Sequence, residues 1–153
     1  TGTIRDVALP ALDVLIALHA CNDATDHALA RGITQGARLI VVAPCCHKDL
    51  RRVLGAPEPL APLLEHGLFN EHFAEWLTDG LRVLALEAAG YAVTVSEFVA
   101  PEHTPKNTLI AGIRGTPPAR REAAAAQYAA LKAWAGLPAL ATDMRTGSAN
   151  GLA

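Results

Sequence analysis

Histidine, cysteine and carboxylate side chains gather in two short segments of this 153-residue chain: His19-Ala20-Cys21 with Asp23 and Asp26 close behind, and Cys45-Cys46-His47-Lys48. Imidazoles and carboxylates suit proton transfer and thiolates are nucleophiles, so acid–base or nucleophilic chemistry is the first expectation. Each cluster follows a continuous apolar run, Val14 to Leu18 and Leu39 to Ala43. Such runs fit strands buried on both faces, as in a parallel sheet covered by helices. Open α/β sheets bind ligands at the carboxyl ends of their strands, and both clusters fall at that edge.

Within the clusters, His19 and Asp26 are the first choices for handling a proton. His19 follows the first strand directly, the alternative being a histidine bonded to a backbone carbonyl. Asp26 falls in the first turn of the next helix, where a carboxylate favours the dipole with or without a substrate. Cys21 is a candidate nucleophile, or simply a small apolar residue. Cys45 and Cys46 precede a helix start with His47 and Lys48 adjacent, surroundings that lower a thiol pKa. His19, Cys21, Cys46 and His47 are acceptable metal-ligand types, but their spacings are not those of a zinc finger, and no metal is expected. A Cys45–Cys46 bridge would close a strained ring, and the Cys-x-x-Cys spacing of redox motifs is missing, so all three cysteines are taken as thiols.

The elements that must position these residues follow from the pattern. Residues 13–20 predict a strand, 24–33 a helix capped by Asn22 or Asp23, and 37–44 a second strand, the size of a βαβ crossover with parallel strands. Residues 48–54 predict a short amphipathic turn, and Gly55 to Pro62 a Pro-rich break. A long helix follows, with Phe69, Phe73, Trp76, Leu77, Leu81, Leu84 and Ala88 at helical spacing and Glu71, Glu75, Arg82 and Glu87 mostly opposite. Phe73 and Trp76 are expected in the core, and Gly90 is placed as the C′ residue. Residues 91–99 and 107–113 predict strands whose short connection, Pro101 to Asn107, forces an antiparallel pair. Residues 119–135 predict an Ala-rich helix. One domain over 1–137 is expected, with 138–153 a tail that buries little and frays.

A formal net charge of −2, with 51% hydrophobic and 18% charged residues, describes a globular chain without the bulk positive field of a dedicated nucleic-acid binder. Lys48, Arg51 and Arg52 could still form a local basic patch. No apolar stretch is long enough to span a bilayer and no leader pattern opens the chain, so a cytoplasmic location without membrane contact is expected. Thr1 stands where an initiator Met would, and the first apolar strand follows almost at once, so the chain is expected to be part of something longer.

Three ordered motifs carry a resemblance: Leu18-His-Ala-Cys21-Asn-Asp-Ala-Thr-Asp26, Val42-Ala-Pro-Cys-Cys-His47 and Glu102-His-Thr-Pro-Lys-Asn107. With the long helix ending in Leu-Glu-Ala-Ala-Gly-Tyr, they resemble the second half of a class I S-adenosylmethionine-dependent methyltransferase of a bacterial methyltransferase-domain family. More distantly they resemble the tRNA acceptor-stem 2′-O-methyltransferases. The resemblance covers roughly residues 1–115.

It implies an α/β, Rossmann-like fold in which residues 13–20, 37–44 and 91–99 are parallel strands four, five and six, and 107–113 the antiparallel seventh, flanked by helices. Strands one to three, with the Gly-rich turn that holds the cofactor, would then lie outside this chain. The implied activity is methyl transfer from S-adenosyl-L-methionine to an RNA, tRNA among the candidates, or to a small molecule. The implied catalytic residues are His19, Cys21, Asp26, Cys45, Cys46 and His47. Thr3, Ile4, His19 and Ala20 would touch the cofactor, and Lys48, His103, Lys106 and Asn107 the acceptor. The missing N-terminal half of the domain is the expected partner, and a bare fourth strand invites a homodimer through its open edge. The alternative is a noncatalytic binding or assembly module. Cysteines ending strands four and five are also similar to those of RNA 5-methylcytosine enzymes, whose flanking residues do not match.

Overall fold

The computed structural model describes residues 4, 7, 10–21, 23–45, 47–99, 107–140 and 142–143, with only the backbone of residues 48 and 49. Its elements are β1 (Val14–Leu18), α1 (Asp23–Thr34), β2 (Leu39–Ala43), α2 (Lys48–Val53), α3 (Ala61–Leu64), α4 (Gly67–Ala88), β3 (Tyr91–Glu97), β4 (Thr108–Arg114) and α5 (Pro118–Trp134). The strands form one sheet in the order β1-β2-β4-β3. β1 and β2 pair parallel, whereas β4 runs antiparallel to both β2 and β3, so three strands share a direction and the last in sequence is inserted between two of them. This is an α/β arrangement, as the resemblance implies.

Local chemistry explains the turns. Asp23 and Asp26 in the first turn of α1 and Arg31 in its last complement the helix dipole. Gly36 and Gly90 follow α1 and α4 with φ of 72° and 98°, the left-handed region that glycine enters without a Cβ penalty.

One face of the sheet is covered. Leu15, Ile40, Val42, Ile110 and Tyr91 pack against Ala28 and Leu29 of α1 and Leu86 of α4. Behind that layer, Leu77, Leu81 and Ala85 of α4 meet Tyr128 of α5, Leu50 of α2 and Ala135. The opposite face does not match the expectation of strands buried on both sides. Register aligns Val14, Leu39 and Ile113 in one row and Ile16, Val41 and Ala111 in the next, and Ile16 and Ile113 are each 63% exposed. β1 is also a terminal strand of the sheet.

Two further expectations are corrected. Trp76 is 77% exposed and Phe69 is exposed, whereas Arg82 and Glu87 are buried. Because α4 lies between α1, the sheet and α5, its buried surface is wider than one stripe and takes in charged residues that find partners. Glu87 accepts from Arg120 at 2.7 Å. Among the described residues past Pro138, Leu140 packs on the second core cluster and Tyr128 Oη donates to Asp143 Oδ1 at 2.7 Å, while 144–153 of the expected tail lie outside the described residues. Burial and then the Asp143 hydrogen bond push the Tyr128 hydroxyl pKa well up.

Candidate active site

β1 and β2 end together at the rim. The ladder continues one step beyond β1, where His19 N–H donates to Ala43 O at 2.9 Å. His19 then turns the chain sharply, with φ of 55°, an uncommon conformation for a residue other than glycine and one that clusters at functional sites. Its neighbour Ala20 is fixed from below, because buried Thr25 in α1 donates its hydroxyl to Ala20 O at 2.5 Å. Ala24 N–H closes the turn on Cys21 O at 3.1 Å. The Ala-Thr-Asp run therefore ties the helix start to the strand exit.

The loops after the two strands bring their thiols together. Cys21 is exposed and Cys45 half-buried, and their sulfurs stand 3.6 Å apart. His47, two residues beyond Cys45, turns inward instead: it is buried, and its Nε2 lies 3.0 Å from Asp79 Oδ1. A carboxylate paired with arginine only accepts, so Nε2 donates the hydrogen of this contact. Nδ1 of the same ring is buried with no hydrogen-bond partner among the described residues.

Arg82, one helical turn from Asp79, completes a network beneath the rim. It is 2% exposed, and its guanidinium donates to Asp26 Oδ1 at 2.7 Å and to Asp79 Oδ1 at 3.0 Å. Burial opposes its charge, but the two carboxylates outweigh it and its pKa rises above the ordinary arginine value. Asp26, expected to handle a proton, is thus engaged as the counter-charge of Arg82. Asn107, expected to touch the acceptor, is buried, and its amide donates to Val99 O at 2.8 Å across the β3–β4 connection.

Residues 3–53 match the family model of a methyltransferase domain. The match covers one third of the chain and ends with α2, so it contains β1, α1, β2 and both rim clusters. It agrees with the resemblance to class I methyltransferases. Neither the curated proteins nor the solved structures compared with the chain gave a match.

Of the expected site residues, the structure brings Cys21 and Cys45 into contact, sets His19 on the rim beside them, and turns His47 and Asp26 to the network of Asp79 and Arg82. Thr3, Cys46, His103 and Lys106 lie outside the described residues, as does the side chain of Lys48. Ile4 is exposed. No Gly-rich strand-to-helix turn occurs, and two clefts of about 500 and 480 Å³ lie elsewhere, at the opposite ends of β1 and β2 and between α3 and α4.

Asp79 and Arg82 escaped the sequence reading. A signal was available: Arg82 interrupts the apolar run Leu81 to Leu86, where a charge needs a buried partner.

Proposed function

We propose that this chain is the acceptor-side half of the catalytic domain of an S-adenosyl-L-methionine-dependent methyltransferase, with an RNA or a small molecule as acceptor. The observation that carries the proposal is the methyltransferase-domain match over residues 3–53, because it falls on the strands whose ends hold the histidines and thiols. In this assignment β1, β2 and β3 are the family's strands four, five and six, and β4 its reversed seventh. The cofactor, when bound, supplies an electrophilic methyl group. This chain supplies proton handling and acceptor positioning: Asp79 orients the His47 ring, and His19 stands exposed on the rim. On the resemblance alone, Cys46 is assigned a catalytic role, and Lys48, His103 and Lys106 are assigned to the acceptor.

The uncovered sheet face and the open edge of β1 support a partner that contributes the cofactor-binding strands. The same apolar rows also favour the second reading, a noncatalytic module that assembles through this face. The test is methyl-labelled S-adenosylmethionine and bulk RNA with the complete protein. Label transfer that falls at least tenfold in His47→Gln supports the proposal, while no transfer to RNA or to a small-molecule extract favours the assembly module. Calorimetry with S-adenosylhomocysteine on the 153-residue chain is a separate check, and low-micromolar binding would overturn the acceptor-side assignment.

A further inference from the structure

The Cys21 and Cys45 thiols have a use that needs no methyl transfer. Their sulfurs are 3.6 Å apart, in contact, and a disulfide requires about 2.05 Å. Both residues sit on loops just past paired strand ends, Cys21 three residues beyond Leu18 and Cys45 two beyond Ala43, and Leu18 and Ala43 are register partners. The strands therefore hold the loops side by side, while the loops themselves are outside the ladder and can close the remaining gap by side-chain rotation and a small backbone shift.

We infer that Cys21 and Cys45 form a reversible, peroxide-sensitive disulfide that staples the ends of β1 and β2 at the rim. Exposed Cys21 meets the oxidant first: its thiolate attacks one oxygen of hydrogen peroxide, an S–O bond forms as the O–O bond breaks, and hydroxide leaves to take up the thiol proton as water. The half-buried Cys45 then attacks the sulfenic sulfur, the S–S bond forms, the S–O bond breaks, and a second water leaves. Two thiols are oxidised, one peroxide is reduced to two waters, and a dithiol reductant reverses the step. The arrangement differs from a Cys-x-x-Cys motif because the tertiary fold, not sequence spacing, pairs the sulfurs.

The test uses the 153-residue chain, which carries three cysteines, and its Cys46→Ser form, which carries only this pair. After stoichiometric peroxide, each chain should become lighter by two hydrogen atoms with no covalent link between chains, and a non-reducing digest should link the Cys21 and Cys45 peptides. Dithiothreitol should restore the mass. In Cys45→Ser, Cys21 should instead accumulate a dimedone-reactive sulfenic acid. A bridge from either residue to Cys46, a pair linked only between chains, or both thiols passing to sulfinic acid without a bridge would overturn the inference.

Discussion

Removing the carboxylate of Asp26 separates a structural role from a catalytic one. Arg82 is 2% exposed at its side chain and Asp26 19%, and the pair stands at 2.7 Å, so Asp26→Ala leaves a desolvated cation short of one of its two counter-charges. Losing one partner of a fully buried pair costs about 3–5 kcal/mol. Asp79 remains 3.0 Å from the guanidinium and offsets part of this, so a loss of about 2–3 kcal/mol is expected. For a domain of this size that corresponds to a fall in Tm of roughly 5–10 °C. Urea melts followed by circular dichroism should show a lower midpoint with an unchanged slope. Arg51→Ala is the control: its pair with Glu71 is 3.4 Å long with both side chains near half exposed, and its removal should stay within about 0.5 kcal/mol. Asp26→Leu with Arg82→Met should be less destabilised than the sum of the two single changes by about 1 kcal/mol or more. An Asp26→Ala protein as stable as the parent would refute the network and return Asp26 to the list of proton acceptors.

Two other perturbations test the packing. Both tyrosines of the chain, Tyr91 and Tyr128, have raised pKa values, chiefly because burial disfavours the phenolate. Above a pH of about 10 the unfolded chain loses phenolic protons that the folded chain keeps, so stability falls as pH rises from the unfolded value towards the folded ones. Ultraviolet titration should show tyrosinate appearing later in the native than in the urea-unfolded chain, and coincident curves would contradict the burial of both rings. At Gly32 an added Cβ would stand 2.8 Å from Ile40 Cδ1 and 3.3 Å from Leu15 Cδ1, where α1 presses on the sheet. Gly32→Val should therefore cost about 1–3 kcal/mol in a denaturant melt, and a neutral result would mean the helix is not seated this closely.

The strands and their directions were legible because apolar runs, turn residues and connection lengths are local signals. β1 and β2 were expected as a parallel pair, and β3 and β4 as an antiparallel hairpin, and they pair that way. Burial was less legible. The same apolar run that fits a doubly covered strand also fits β1, whose alternate residues face out, because composition does not say what lies on each side. On α4 a single helical stripe placed Trp76 inside and Arg82 outside, and tertiary packing reversed both. The rim cysteines were found by type and position, but their pairing was not, since Cys21 and Cys45 are adjacent only through the parallel register.

One turn of α4 links the rim to the core. Asp79 holds the ring of His47 from the loop after β2, and Arg82 holds both Asp79 and the Asp26 of α1, the helix that follows the turn after β1. The two loops that carry the reactive side chains are therefore referenced to the same buried guanidinium. Changes at Arg82 should alter the separation of Cys21 and Cys45, since a charge network shared by two loops sets where both sit. A helix turn beneath the rim fixes the positions of both loops more closely than either loop would be held alone. The opposite sheet face instead carries apolar rows, with Val14 and Ile16 of β1 and Ile113 of β4 exposed.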